Sequence, residues 1–294
     1  MALRFVGPAR DIRMGSFTMR VRASVAALRR ELEALYADFP NNAPDGFADF
    51  HVNLRHVTGL RRWLWPRVVF EHDDLPPFRS MRLAEALLLF EGGLNWTIAE
   101  NANFYLVIHA AAVEREGRAA ILPAPSGGGK STLCAALINR GWRLLSDELT
   151  LVSLADGTVA TLARPVSLKN EAIAAIRAFA PNARFSAPIS DTEKGTVAFL
   201  KPPAASVARM GEPATPAWVV MPRYSPQARA ELSPRGKAET FMALYASAYN
   251  CYLLGRTGFE ALAGIVDRSD CYEFVYSALD DAIDAFADLA AGRV

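Results

Sequence analysis

The sequence predicts an α/β protein, and three observations carry that reading. Apolar runs of strand length alternate with segments of helical period along much of the chain. The stretch "AAILPAPSGGGKSTLCAAL" is an apolar run, a glycine-rich turn and a helix-forming run in direct succession. The run "NFYLVIHAAAV" is apolar almost throughout, as expected of a strand covered on both faces.

The 294 residues suffice for one large domain or two small ones. With 32 Lys and Arg against 31 Asp and Glu, the formal net charge is +1, so neither nucleic acid nor a membrane surface is expected as a partner. Arginines crowd the N-terminal third, but Arg29 and Arg30 are followed by Glu31 and Glu33, the pattern of a solvated helix face. Cys134, Cys251 and Cys271 are too few and too scattered for a disulfide framework or a zinc site, which fits a reducing, cytoplasmic setting. No apolar run approaches the ~18–20 residues that span a bilayer. The start of the chain, "MALRFVGPARDIRMG", lacks the apolar core of a signal peptide.

Element by element, "SFTMRVR" has the alternation of a half-buried strand. Ser24 is placed to cap a helix whose apolar positions are Val25, Leu28, Leu32 and Leu35. "PNNAPDG" reads as a loop, "FHVNLRHV" and "RVVFEH" as strands, and "SMRLAEALLLFEGG" as a short helix stopped by Gly92 and Gly93. Residues 1–95 are therefore expected to form a small α+β region, and residues 96–294 a nucleotide-binding core with C-terminal helices.

In that core, "NFYLVIHAAAV" is expected as one strand, "EREGR" as a turn and "AAIL" as a returning strand. "STLCAALINR" follows as a helix with Gly141 at its stop, and "WRLLSDELTLVSL" as a further single strand. "VATL", "AWVVMP" and "YEFVY" read as strands. "AETFMALYASAYNCYLL" and "LDDAIDAFADLAA" read as helices, and most of the remainder as Pro- and Gly-punctuated loop.

A glycine-rich turn that opens a helix points several backbone N–H groups at one centre, and the helix dipole adds positive charge there. Lys130 can reach the outer phosphates of a nucleotide, and the Ser131 hydroxyl can join a Mg²⁺ shell. The triphosphate of ATP is thus expected against Ser126, Gly127, Gly128, Gly129, Lys130, Ser131 and Thr132. Ala124 stands where the pattern G-x-x-x-x-G-K-[ST] begins with glycine. At a strand exit that position needs little bulk and ordinary backbone angles, so alanine is compatible.

One helix and one short strand separate Lys130 from Asp147 and Glu148 in "LLSDEL", which would bring the pair near the triphosphate if that strand neighbours the one feeding the loop. Adjacent strand residues face opposite ways, so the two carboxylates can divide labour only where the strand ends or bends. One can serve Mg²⁺ and the other can accept a proton from an incoming hydroxyl. His109 lies in an apolar strand expected to pair with the strand that feeds the loop, which would bring it close to the loop.

"HAAAVEREGRAAILPAPSGGGKSTLCAALINRGWRLLSDELTLV" resembles the nucleotide-binding core of the HPr kinase/phosphorylase family. It looks most like the HPr-kinase-related proteins encoded with peptide-modification systems, which share "EGGLNW", "SDE" and "RPVSLKN". The resemblance spans roughly residues 86–200. It implies a P-loop kinase core of the HPr kinase/phosphoenolpyruvate carboxykinase type, acting on a serine of a protein or peptide with ATP and Mg²⁺. By the same resemblance Asp147 is the base, Glu148 serves the metal, and His109 sits beside the reacting groups. Lys169 and Lys194 steady transferred charge, and the protein forms a homo-oligomer. The chain departs from the family pattern at Ala124 and Glu148, which leaves the acceptor open among an HPr-like protein, a precursor peptide and a small molecule. A small-molecule kinase would close an arginine-bearing lid, for which Arg164, Arg177, Arg184 and Arg223 are available, and a switch ATPase would need a residue that positions water.

Overall fold

The computed structural model describes residues 9–41, 46–58, 64–125 and 127–294. Four sheets and eight α-helices are present among them. The first sheet has the order β1-β2-β3-β4-β5, from β1 (Arg10–Met14), β2 (Phe17–Ala23), β3 (Phe50–His56), β4 (Arg67–His72) and β5 (Met81–Arg82). Helix α1 (Ala26–Leu35) buries the expected stripe, Leu28, Leu32 and Leu35. Its N-cap is Val25, with no side-chain cap; the Ser24 N–H instead donates to Leu54 O, which ties that residue to the sheet. The loop expected at 40–46 lies largely outside the described residues.

Helix α2 (Ala86–Asn101) corrects the expected stop at Gly92 and Gly93, because it runs straight through both. Gly93 is there for packing, since a Cβ on it would come within 2.5 Å of the Phe70 ring, whereas a Cβ on Gly92 would meet nothing within 4 Å. Leu87, Leu89, Phe90, Leu94 and Ile98 are buried around α2, so the helix is core rather than surface. Residues 95 and 96, between which the two expected regions divide, both lie within it.

The six-stranded sheet has the order β16-β17-β15-β8-β7-β9. It comprises β7 (Ala110–Arg115), β8 (Arg118–Pro123), β9 (Arg143–Ser146), β15 (Thr215–Tyr224), β16 (Glu231–Pro234) and β17 (Asp270–Tyr276). β8, β15 and β17 run parallel, whereas β7 is antiparallel to both of its neighbours. Strand alternation sends Val113, Leu122 and Val220 to one face, against α3 (Lys130–Ile138) and α8 (Leu279–Ala290). Ala112, Ile121 and Val219 go to the other, against α6 (Lys237–Ser247) and α7 (Cys251–Arg268).

Two segments expected as single strands are each broken in two. Residues 103–113 form β6 (Tyr105–Ile108) and β7, and residues 142–154 form β9 and β10 (Thr150–Ser153). β6 and β10 pair with each other and, with β11 (Val159–Ala160), make a separate sheet, while β7 and β9 pair in the large one. The chain therefore changes sheets twice, side by side, at His109 and at Asp147–Glu148–Leu149. β9 is also separated from β8 by β7, so the acidic pair is not on a direct neighbour of the loop strand.

The segment expected as one helix over 238–254 is α6 and α7, interrupted because the junction is used as a strand substitute. Ile108 bridges Ala248, the Tyr249 N–H donates to Val107 O, and Asn250 Oδ1 accepts from the Val107 N–H. Much of what reads as loop is ordered too. β12 (Val166–Lys169), α4 (Glu171–Phe179), β13 (Ile189–Thr192), β14 (Gly195–Leu200) and α5 (Ala204–Ala208) occupy it, with a third sheet in the order β12-β14-β13. Lys169 thus ends a strand. Among the described residues no helix is long and apolar enough to cross a membrane.

Candidate active site

β8 delivers Pro123 and Ala124 to the glycine loop, and α3 begins at Lys130. Gly127 and Gly129 have φ of +87° and +89°, a region that side chains strain to enter. At Gly129 a Cβ would also come within 2.6 Å of the Tyr276 hydroxyl, which donates to Gly129 O at 2.9 Å. The Tyr224 N–H donates to Gly128 O at 3.2 Å, so the last residues of β15 and β17 hold the loop in place. Ala124 is buried and is not among the residues with positive φ, which is why alanine serves at the strand exit. Ser126 lies outside the described residues.

The two sheet changes place the remaining groups. Across the break, Ile108 pairs with Thr150 and Ala112 with Ser146, so the residues between them face each other. Lys130 is buried, and its ammonium donates to Asp147 O at 3.0 Å. Glu148 Oε2 lies 3.9 Å from Lys130 Nζ and 3.5 Å from His109 Nδ1. The Tyr249 hydroxyl is 3.2 Å from the same histidine nitrogen. The His109 N–H donates to Ser247 O at 2.7 Å, which fixes the backbone where the strand breaks.

The two carboxylates differ in setting. Asp147 is buried, with 5 % of its surface exposed; its Oδ2 accepts the Ser167 N–H at 3.0 Å and its Oδ1 has no hydrogen-bond partner. Burial, and then the charge of Glu148, push its carboxyl up to about 6 against the pull of Lys130 and the Ser167 amide. The nearby Ser131 hydroxyl opposes the rise only weakly, lacking the geometry of a full hydrogen bond. The Glu148 side chain is 26 % exposed and faces the cleft around the loop. Burial lowers the His109 pKa, as does Lys130, with Glu148 opposing them, which keeps the ring neutral near pH 7.

That cleft measures about 690 Å³ and runs along the α3 N-terminus past Lys130, Ser131 and Thr132. Lys169, at the end of β12, and Lys194, in the turn between β13 and β14, both line it, together with His109 and Glu148. Asp147 instead lines a small cavity behind, beside Glu91, Asn95 and Arg164. No arginine lines the cleft among the described residues. Arg164 is buried against Glu91 at 2.6 Å, Arg177 stacks over the Phe185 ring, and Arg184 is exposed.

The sequence reading missed the Ser167 amide, Tyr249 and the ion pair of Arg164 with Glu91. "EGGLNW" and "RPVSLKN" contain Glu91, Asn95, Arg164 and Ser167, so those segments carried a signal. Tyr249 carried none, since its contact with His109 spans 140 residues of chain.

The residues present fit a magnesium-bound triphosphate. The loop offers backbone amides in a conformation that the positive φ of Gly127 and Gly129 makes possible, and Asp147 Oδ1 is a buried acceptor without a donor, close to Ser131. Among the described residues no group of three or more His, Cys, Asp or Glu side chains gathers to hold a metal alone. The donor set suits Mg²⁺ shared with phosphate oxygens rather than caged by protein.

A family model, that of the SynChlorMet cassette protein ScmC, matches residues 96–190. The matched span contains His109, the loop, Lys130, Asp147, Glu148 and Lys169. Among solved structures, the Hpr(Ser) kinase/phosphatase from Coxiella burnetii aligns over 63% of this chain and 98% of its own, with 11% sequence identity and a TM-score of 0.26. No curated protein matches the chain.

Proposed function

We propose that the protein is a kinase that transfers the γ-phosphoryl group of ATP to a serine hydroxyl of a peptide or protein. The observation that carries this reading is the convergence of Lys130, Glu148 and His109 at the N-terminus of α3, with Glu148 Oε2 3.5 Å from His109 and 3.9 Å from Lys130. The sequence resemblance over the same residues supports it. Bound there, Mg²⁺·ATP supplies the phosphoryl group, and the metal draws charge off it.

The loop amides and Lys130 hold the outer phosphates, and Ser131 adds its hydroxyl to the metal shell. The resemblance implies Asp147 as base and Glu148 at the metal; the geometry favours the converse division. Asp147 sits behind the loop helix near Ser131, where a carboxylate serves the metal shell. Glu148 faces the cleft beside His109, where it can accept the proton of an incoming hydroxyl. His109, neutral and hydrogen-bonded to Tyr249, positions Glu148. Lys169 and Lys194, at the cleft wall, balance charge on the transferred group. The same reading places the protein in the reducing cytoplasm and, by resemblance, as a homo-oligomer; its three cysteines are free and buried.

The test is incubation with γ-labelled ATP and Mg²⁺, with serine peptides and small metabolites offered in separate fractions and Lys130→Ala as the blank. Label in a peptide fraction is the expected result. Label confined to metabolites points to a small-molecule kinase, and inorganic phosphate alone points to a switch ATPase.

A further inference from the structure

A second cavity, of about 660 Å³, adjoins the phosphate cleft and shares His109, Ala124 and Pro125 with it. The linings differ in kind. The first cleft carries three lysines and the carboxylates of Glu148 and Glu193; the second presents Met221 and Val275 from the sheet and Ala243, Ala246 and Ala248 from α6 and its exit. Two charged side chains, Arg223 and Glu273, also line it, and Glu273 is paired with Arg235. α6 anchors on the sheet through the buried Leu244, and the alanines beside that anchor leave the space open.

The cavity's place along the loop indicates its use. Lys130, which serves the outer phosphates, lies toward Glu148 and His109. Thr132, Asn170 and Ala172 carry the first cleft past Lys130 and Ser131 and are absent from the second cavity, and the nucleoside end of a bound nucleotide is assigned to them. The second cavity opens at the terminal-phosphate end. Its wall is fixed to the reacting groups by the bonds from His109 N–H to Ser247 O and from Tyr249 N–H to Val107 O. Outside it, the α6–α7 junction exposes Met242, Tyr245, Tyr249, Tyr252 and Leu253, an apolar surface continuous with Tyr249 of the cavity lining.

Resting on the phosphoryl-transfer reading above, we propose that this cavity is the acceptor site, and that its occupant is a peptide segment whose serine is flanked by a large apolar residue. The apolar side chain enters between Met221 and the α6 alanines, and the serine hydroxyl lies at His109 and Glu148. The serine oxygen bonds to the γ-phosphorus as the bond from that phosphorus to the β–γ bridging oxygen breaks. The hydroxyl proton passes to the Glu148 carboxylate, and ADP is the leaving group.

The experiment uses the full chain, labelled ATP with Mg²⁺, and short peptides with one serine and a single varied neighbour: Ala, Leu, Phe, Trp, Asp or Lys. Wild type is expected to favour Leu or Phe over Ala or Asp by roughly tenfold or more in kcat/KM. Ala246→Phe, an exposed position at the cavity, should abolish that preference while leaving Mg²⁺·AMP-PNP affinity within about twofold. Met221→Ala, which enlarges the cavity, should shift the preference toward Trp and guards against a fold defect in the first variant. Label on peptides with no preference among neighbours overturns the inference alone. Weakened AMP-PNP binding in Ala246→Phe, with tripolyphosphate binding unchanged, overturns it in favour of a nucleobase pocket. If wild type binds AMP-PNP yet labels no peptide, the peptide-kinase reading falls, and the inference with it.

Discussion

The ammonium of Lys130 donates to the backbone carbonyl of Asp147 at 3.0 Å, joining the first residue of the loop helix to the point where β9 ends. This bond holds the buried lysine near Glu148. Lys130→Ala should remove a charge-assisted contact worth ~1.5–3 kcal/mol, weakening Mg²⁺·ATP binding by about ten- to a hundredfold. Calorimetric titration measures it, and affinity equal to wild type would mean the loop does not hold phosphates.

Gly129 combines a φ of +89° with a hypothetical Cβ only 2.6 Å from the Tyr276 hydroxyl. Gly129→Ala must therefore shift the loop against β17. Nucleotide binding should fall at least tenfold, while the thermal unfolding midpoint moves by only a few degrees, since the strain is local. Equal losses in both measurements would place the effect in the fold.

Asp147 gives a pH signature. Its folded pKa, about 6, lies above the 3.8 of a free aspartate. Between about pH 4 and 6 the unfolded chain ionises at this residue while the folded chain does not, so stability falls as pH rises. The loss is complete above the folded pKa and is on the order of 3 kcal/mol. Asp147→Asn escapes it. Urea unfolding should find that variant more stable than wild type at pH 7.5, with the gap about halved at pH 5 and closed near pH 4. A less stable variant at pH 7.5 would contradict the account.

Behind Asp147, Arg164 pairs with Glu91 at 2.6 Å and donates to Asn95 Oδ1, while the Tyr36 hydroxyl donates to Glu91 Oε1 at 2.7 Å. All three charged or phenolic groups are buried, and the network links α2 and the end of α1 to the segment that carries Ser167. Arg164→Ala leaves Glu91 buried and unpaired, which should cost about 3–5 kcal/mol in denaturant unfolding. The double change Arg164→Met with Glu91→Leu should recover much of it.

The strand–loop–helix unit was legible because each part has a local cause: an apolar run, glycines that permit positive φ, and good helix formers. The positions of His109 and of the acidic pair as strand ends were not legible. Their segments read as continuous strands because each half is buried, and hydropathy does not record that the halves belong to different sheets. The break at His109 is decided by Ser247, Ala248 and Tyr249, far along the chain. The glycine pair in α2 misled for a related reason. Gly93 marks a close approach to Phe70, a tertiary demand that looks locally like a helix stop. Adjacent carboxylates were recognisable as a functional pair, but which one faces the cleft depends on the Ser167 amide, about twenty residues downstream.

The central claim is that the terminal phosphoryl group leaves toward a hydroxyl held on the His109–Glu148 side of the loop. Single-turnover transfer by Glu148→Gln, at an Mg²⁺·ATP concentration shown by calorimetry to saturate it, tests this most directly. The account predicts near wild-type nucleotide affinity with transfer to the serine peptide slowed ~10²–10⁴-fold. Transfer at the wild-type rate from the saturated variant would contradict it.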